Sequence, residues 1–268
     1  MPKPPGLRKP FASAKACSAL LAALLAGTGT AHADAGAPEK LRICTTGDYK
    51  PLTYFDARTG QYSGIDIDMA HDLADRIGRS PEFVRTTWGG MMNDLVGQGK
   101  CDIAMGGVSI TPDRQQQADF TEPYLDDGKV PLVRSADVDR YRTLEQIDRE
   151  NVRVIVNPGG TNEKFVREHL RNATVTVWND NTTVFDEIVN GHADVMITDA
   201  LEAKYQSRQH PGLAPVHPDE PFTQVRKAYM TPRNSPLKKD IDRWLSKALS
   251  DGTFQRYYDK WMGSTAGS

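Results

Sequence analysis

Two carboxylates three positions apart, Asp199 and Glu202, are the side chains of this chain best suited to do chemistry. They lie in the segment ITDALE at 197–202, where an apolar strand is expected to end and a helix to begin. One aspartate at such a junction is enough to hold the ammonium group of an amino acid. A second carboxylate one helical turn later is what an enzyme that donates a proton would add.

The same spacing also has a purely structural interpretation. An aspartate at the N-cap, followed three residues later by a glutamate, is typical of a capping box that satisfies free N–H groups of the first helical turn. On this fragment alone the capping box is the favoured interpretation of Asp199 and Glu202, and the rest of the chain has to decide.

The loop GGVSITPDR at 106–114 follows a predicted strand and opens a helix, with Thr111 as N-cap and Pro112 at the first helical position. Its glycines let the backbone approach a ligand, and Ser109 adds a hydroxyl. Arg114 offers a planar donor pair that matches a carboxylate. The alternative for Arg114 is an exposed arginine on a helix surface.

A second glycine-containing loop, NPGGT at 157–161, follows a strand in the other half of the chain. Thr161 is predicted to cap the next helix, and the free N–H groups at Gly160 and Thr161 would form an anion site. An ordinary strand-to-helix turn also uses glycine and threonine, so this alternative stays open. Two such loops facing each other would suit a ligand with one or two carboxylates.

Aromatic side chains follow two of the predicted strands. Tyr49 comes after the first strand and Trp88 after the second, and either could pack flat against a ring, although core packing is the commoner fate of an aromatic. The histidines show no metal-ligand spacing, and no phosphate loop, Gly-x-Ser-x-Gly motif or Cys–His pair is present. We therefore expect neither a metal nor a cofactor.

Apolar periodicity predicts the order β-α-β-α-β twice, which indicates two α/β lobes with mainly parallel sheets flanked by helices. Residues 130–133 and 225–229 are predicted to connect the lobes, giving two crossings and a hinge. The first lobe should comprise 40–131 together with 229–263, and the second 132–228. Residues 236–262 are predicted to be helical, with one apolar stripe. Ligands of open α/β sheets bind beyond the carboxyl ends of the strands, where the loops above lie.

Residues 1–33 are predicted to be a signal peptide, because a basic segment precedes a short apolar run and AHA at 31–33. The remainder has 29 basic and 35 acidic residues, a net charge of −6, which argues against nucleic acid or an anionic membrane as partner.

Cys44 and Cys101 lie in apolar runs and are interpreted as buried thiols, with a disulfide as the less favoured alternative.

These segments carry a resemblance to a known family. GGVSITPDR at 106–114, ADFTEPY at 118–124 and GIDID at 64–68 are similar to the periplasmic polar amino-acid-binding proteins, over residues 40–262. This resemblance implies the two-lobed periplasmic-binding-protein fold of type II. Four further segments resemble a catalytic branch of that family, the periplasmic cyclohexadienyl dehydratases: TTGDYKP at 45–51, NPGGTNEKF at 157–165, TDALEA at 198–203 and QSRQHP at 206–211.

The resemblance implies that Glu202 is a general acid helped by Asn157, with Trp88 and Tyr49 in the substrate pocket. The substrates would be prephenate and arogenate, with Asp199 pairing with the ammonium group of arogenate. The alternative is a non-catalytic binding protein that delivers an amino acid to a membrane permease, the only case in which a permease partner is expected. A sensor-type binding domain is a third hypothesis, with no sequence feature of its own.

Overall fold

The computed structural model describes residues 38–263, so the predicted signal peptide at 1–33 lies outside the described residues. The strands are β1 (Lys40–Thr45), β2 (Asp48–Tyr49), β3 (Thr53–Asp56), β4 (Gln61–Ser63), β5 (Ser80–Arg85), β6 (Ile103–Ala104), β7 (Ala118–Phe120), β8 (Leu125–Asp127), β9 (Lys129–Arg134), β10 (Arg153–Val156), β11 (Thr174–Val177), β12 (Val195–Asp199), β13 (Leu213–Pro215), β14 (Val225–Lys227) and β15 (Met230–Pro232).

The α-helices are α1 (Ile65–Arg76), α2 (Pro112–Gln115), α3 (Leu144–Ile147), α4 (Thr161–His169), α5 (Val184–Val189), α6 (Ala200–Gln209), α7 (Lys238–Ser250) and α8 (Thr253–Met262). A π-helical turn covers Asn93–Gly97 and a 3-10 turn covers Ser135–Arg140. Within residues 38–263, no helix combines the length and the apolar character needed to cross a membrane.

Two five-stranded sheets, each at the centre of one lobe, repeat the same topology. The first has the order β5-β1-β6-β15-β7 and the second the order β11-β10-β12-β9-β13. In each sheet four strands run in one direction, and the remaining strand, β15 or β9, runs against its neighbours. The predicted repetition of a mainly parallel α/β unit is therefore confirmed.

Successive side chains of the central strands point to opposite faces of each sheet, and both faces are buried. In β1, Leu41 and Ile43 pack with helices α1, α7 and α8, whereas Cys44 packs on the opposite face with Met91 and Leu95. Strands β10 and β12 divide their apolar side chains between two clusters in the same way. Strands buried on both faces explain the near-continuous apolar runs of the sequence.

The predicted first connector, residues 130–133, is wrong. These residues lie in β9, which pairs antiparallel with β12 inside the second sheet. The chain crosses between the sheets at β8 and β14, which pair with each other from Val225 opposite Asp127 to Lys227 opposite Leu125. Residues 129–131, which were predicted to belong to the first lobe, therefore lie in the second sheet. An apolar strand outside a β-α-β unit has the same sequence pattern whether it crosses between two sheets or is a member of one sheet.

The carboxy-terminal helical segment packs on the first lobe with its predicted apolar stripe. Ile241, Trp244, Leu245 and Ala248 of α7 are buried in the cluster that covers α1. The segment predicted to be helical over 236–262 consists of two helices, because Gly252 has a positive φ of 80° and separates α7 from α8. A residue with a positive φ commonly ends a helix, and glycine adopts a positive φ without steric cost.

Cys44 and Cys101 form a disulfide, so their interpretation as free thiols is wrong. Cys44 lies in β1 and Cys101 precedes β6, the neighbouring strand of the first sheet, which brings their Cα atoms to 5.5 Å. Strand neighbours 57 residues apart in sequence cannot be paired from the sequence pattern alone. The bond crosslinks a long loop that contains α1 and β5.

We predict that replacing both cysteines by alanine lowers the free energy of unfolding by about 4 kcal/mol, because the crosslink restricts the unfolded chain. Urea denaturation of the oxidised protein and of the double variant measures the difference. Reductant should destabilise the wild type but leave the double variant unchanged. A loss of less than about 1 kcal/mol, well under the usual contribution of such a crosslink, would contradict the prediction.

Candidate active site

Residues from both lobes enclose a small cleft beyond the carboxyl ends of the parallel strands. Its cavity measures about 20 Å³, and its walls are Tyr49, Trp88, Gly107, Ser109, Arg114, Asn157, Gly160, Thr161, Asn162, Asp199 and Lys227. A cavity of this size is too small for a substrate, so the lobes have to separate for a ligand to enter.

Several contacts hold the two lobes together across this cleft. The hydroxyl of Tyr49 donates to Asp199 over 2.7 Å, and the side-chain amide of Asn181 donates to the backbone oxygen of Asp48 over 2.9 Å. At the rim, Lys164 Nζ lies 2.7 Å from Asp113, in an exposed pair that adds little stability. These contacts define a closed arrangement.

Glycine is required where the two loops approach their neighbours. A Cβ at Gly107, which has a φ of 78°, would lie 2.4 Å from the ring of Tyr49. A Cβ at Gly159, with a φ of 75°, would lie 2.8 Å from the backbone nitrogen of Gly89 in the other lobe. A side chain at Gly159 would prevent the lobes from closing as they do, whereas a side chain at Gly107 would displace Tyr49 within the first lobe.

Asp66 supports the loop that carries Ser109 and Arg114. Its buried carboxylate accepts hydrogen bonds from the backbone N–H of Gly107 (2.8 Å), from Tyr124 (2.6 Å) and from Tyr229 (2.9 Å). Burial raises the pKa of Asp66 to about 6, against the effect of these donors. The GIDID segment therefore serves to fix the Gly106–Gly107 turn.

Arg114 lies half-buried at the cleft, on a helix that begins as predicted. Thr111 is the N-cap, and its side chain accepts a hydrogen bond from the backbone N–H of Arg114. The guanidinium donates to the backbone oxygen of Ser109 over 2.9 Å, which fixes its direction. Since a guanidinium has five N–H donors, others remain for a ligand carboxylate.

Asp199 is the N-cap residue of α6 but makes no capping hydrogen bond with its side chain. Its carboxylate instead accepts from Lys129 Nζ (2.6 Å), Lys227 Nζ (2.5 Å) and Tyr49. Burial alone would raise the pKa of Asp199, but the two lysines outweigh it and hold the pKa well below its usual range. The capping-box interpretation is thus wrong, because these long-range partners take the side chain.

Glu202 is fully buried one turn into α6 and does not line the enclosed cavity. Its Oε2 accepts a hydrogen bond from the hydroxyl of Thr198, and its Oε1 has no hydrogen-bond partner among residues 38–263. Burial raises the pKa of Glu202 well above the usual range, and the charges of Asp199 and Asp48 raise it further. Burial therefore favours the neutral, protonated form of Glu202 more than it would for an exposed glutamate.

Asn157 reaches Glu202 through two intermediate side chains. The amide nitrogen of Asn162 donates to Asn157 Oδ1 (2.9 Å) and to the hydroxyl of Thr198 (3.3 Å), and Thr198 in turn donates to Glu202. This buried chain of hydrogen bonds fixes the rotamer of Glu202. The help expected from Asn157 is thus indirect in this closed arrangement.

Thr161 does not cap α4, since the N-cap is Gly160 and no side-chain capping bond is present. The hydroxyl of Thr161 instead accepts from Lys129 Nζ over 2.8 Å, at the floor of the cleft. Trp88 and Tyr49 meet edge to face, with ring centroids 5.6 Å apart, and close the opposite wall. The cleft thus has one aromatic wall and one wall of polar backbone and hydroxyl groups.

The family of bacterial extracellular solute-binding proteins, family 3, matches residues 41–264. The chain belongs to this family. It is 47% identical over 222 residues to a cyclohexadienyl dehydratase of Pseudomonas aeruginosa, covering 83% of this chain and 82% of that relative. The family description agrees with a small-molecule ligand and with a protein that functions outside the cytoplasm.

Solved structures of similar proteins have the same fold. One is an ancestral amino-acid-binding protein described as a precursor of cyclohexadienyl dehydratase, with 35% identity, a TM-score of 0.75 and coverage of 83% of this chain and 95% of that one. Another is an ancestral cyclohexadienyl dehydratase with 51% identity, a TM-score of 0.51 and coverage of 84% and 93%. The two-lobed fold inferred from the sequence is therefore confirmed.

Eight of the nine predicted site residues line the cleft, and the ninth, Glu202, is connected to the cleft wall by hydrogen bonds through Thr198 and Asn162. Sequence reasoning missed Lys129, Lys227 and Asn162, which contact the predicted residues directly. The sequence did contain a signal for the two lysines: each is a single lysine beside or within an apolar strand-like run, GKVPLV at 128–133 and VRKAY at 225–229. Such lysines are rarely buried unless they are paired.

A larger cavity of about 720 Å³ lies beside the crossing strands β8 and β14, and none of the predicted site residues lines it. Within residues 38–263, no group of three His, Cys, Asp or Glu side chains is placed to hold a metal ion. Size alone would favour the larger cavity, but the convergent charged and amide groups lie in the cleft. We therefore take the cleft as the candidate active site.

Proposed function

We propose that this protein is a cyclohexadienyl dehydratase that converts prephenate to phenylpyruvate and arogenate to phenylalanine. The observation that carries the proposal is Glu202, a fully buried carboxyl that hydrogen bonds through Thr198 and Asn162 connect to the cleft wall, and whose pKa burial raises well above the usual range. The 47% identity to a dehydratase of Pseudomonas aeruginosa over most of both chains supports it.

Arg114 and the loop at Gly160 and Thr161 would hold the side-chain carboxylate of the substrate, since they offer a guanidinium and a helix N-terminus at one cleft. Trp88 and Tyr49 would pack against the ring. Ser109 adds a hydroxyl on the same side as Arg114. Closure of the lobes would orient the substrate and exclude water.

The chemical step requires one proton and no cofactor. Glu202 Oε1 gives its proton to the ring hydroxyl, the C–O bond breaks, and water leaves. The bond between the ring and its carboxylate breaks at the same time, carbon dioxide leaves, and the electron pair completes the aromatic ring. Glu202 is left as a carboxylate and regains a proton from solvent when the cleft opens.

The alternative is a binding protein without catalytic activity that serves a permease. One observation favours it, the 35% identity to an ancestral amino-acid-binding protein with a TM-score of 0.75. A binding protein, however, gains nothing from a buried glutamate with one oxygen unpaired among residues 38–263, which costs free energy. We therefore prefer the enzyme.

For the Glu202→Gln variant we expect the turnover number for prephenate to fall by roughly 10²–10⁴-fold, the usual contribution of a positioned acid. The amide keeps the shape of the side chain and can accept from Thr198, but it has no proton to give. Steady-state assays of phenylpyruvate formation measure the loss, and thermal unfolding checks that stability changes little.

Glu168→Gln, an exposed substitution on α4, is the matched control and should leave turnover unchanged. If Glu202→Gln keeps turnover within about threefold of wild type, far less than a general acid contributes, Glu202 is not the acid. A wild type that binds prephenate without consuming it would instead support the binding protein.

We expect Arg114→Ala to weaken binding of phenylpyruvate by about 2–5 kcal/mol, because a desolvated carboxylate would lose its charged partner. Isothermal titration calorimetry measures the affinity. Arg243→Ala, an exposed substitution on α7, is the control and should bind as the wild type does. Affinity within a factor of two of wild type would show that Arg114 does not contact the ligand.

We further propose that the protein is exported to the periplasm and that residues 1–33 are removed as a signal peptide. The family description supports a location outside the cytoplasm. Amino-terminal sequencing of the exported protein should begin at Asp34. An intact leader, or a lipid attached to Cys17, would contradict the proposal.

A further inference from the structure

The position expected to hold a ligand ammonium group, the carboxylate of Asp199, is already occupied. Its Oδ1 accepts from Lys129 at 2.6 Å, and its Oδ2 accepts from Lys227 at 2.5 Å and from Tyr49 at 2.7 Å. Two of these three donors are cations, so the carboxylate is more than neutralised. A ligand ammonium group would have no free partner here.

Both lysines are buried, with 2% of Lys129 and 1% of Lys227 exposed. Their remaining contacts are neutral oxygens: the Thr161 hydroxyl and the Asn162 amide for Lys129, and the Ser109 hydroxyl for Lys227. A single aspartate therefore balances two ammonium groups in this cluster. Together with Arg114, the cleft has an excess of positive charge on its polar side.

A further buried carboxyl close to the lysines, Asp127, does not remove this excess. Its Oδ1 accepts from the backbone N–H groups of Gly128 and Leu201, while the lysines donate to Asp199. Burial, with Asp199 adding to it, raises the pKa of Asp127 to about 6. Even if Asp127 is fully ionised, the three cations Lys129, Lys227 and Arg114 outnumber the two carboxylates, Asp199 and Asp127.

We infer that Lys129 and Lys227 turn the ammonium subsite of an amino-acid binder into a subsite for a neutral acceptor or an anion. Lys227 Nζ faces the cleft beside Ser109 and Arg114, where it can donate to the keto oxygen of a 2-oxo acid. An ammonium group at the same position would meet like charge. Given the proposed dehydratase function, the protein prefers prephenate, a keto dicarboxylate, to arogenate, its amino-acid counterpart.

The most direct test compares two ligands that do not react and differ only at this position, phenylpyruvate and L-phenylalanine. Calorimetric titration of the wild type at neutral pH should show phenylpyruvate binding at least about tenfold more tightly, since like charges across a desolvated contact are strongly unfavourable. Equal or tighter binding of phenylalanine would overturn the inference, as would failure of phenylpyruvate to bind.

A second measurement assigns the preference to the lysines. Lys227→Met removes one cation and leaves Oδ2 of Asp199 with Tyr49 as its remaining donor, so the affinity ratio should shift toward phenylalanine by about tenfold. Lys239→Met, an exposed substitution on α7, is the matched control and should keep the wild-type ratio. An unchanged ratio in folded Lys227→Met would overturn the role of Lys227, and if this variant does not fold, the wild-type ratio still decides the preference.

Turnover assays and binding measurements on the same proteins distinguish a failure of this inference from a failure of the proposed function. If the wild type prefers phenylpyruvate but turns over neither prephenate nor arogenate, the dehydratase proposal fails and the ligand preference stands. If it turns over both but uses arogenate with the higher kcat/KM and binds phenylalanine more tightly, the enzyme stands and the inference fails.

Discussion

The closed structure depends on one buried carboxylate, Asp199, and the two buried lysines that neutralise it. The aspartate ends β12, Lys129 begins β9, and Lys227 ends β14 on the crossing between the lobes. Tyr49 of the first lobe donates to the same group. Because burying these charges is costly unless they are paired, the cluster fixes the positions of strands that are far apart in sequence.

The same aspartate explains why two carboxyl groups three residues apart differ in how strongly they bind a proton. The lysines keep Asp199 ionised, whereas Glu202 is buried without a cationic partner and faces the negative charge of Asp199. The pKa values are therefore pushed in opposite directions, a pattern that assigns an acid and an ion within one site. Lowering the pKa of Asp199 adds stability at neutral pH, which is lost as the pH falls through the acid range.

Local patterns in the sequence predicted most of the fold and most of the cleft. The loop at 106–114 was predicted with its N-cap at Thr111, because capping depends on neighbouring residues. The capping box at Asp199, the connector at 130–133 and the free cysteines were wrong, since each was decided by partners distant in sequence. Lys129 and Lys227 were missed because the side chains they contact are distant in sequence, with Asp199 lying 70 and 28 residues away.

The measurement that tests the account most directly is the pH dependence of kcat for prephenate. An acid has to be protonated to act, and kcat reports its pKa in the enzyme–substrate complex. The account predicts that kcat, after subtraction of the uncatalysed rate, declines with rising pH only well above the ordinary pKa of a glutamate, because burial raises the pKa of Glu202. A decline with rising pH centred near 4.5, the ordinary value for glutamate, or no enzymatic turnover at any pH, would contradict it.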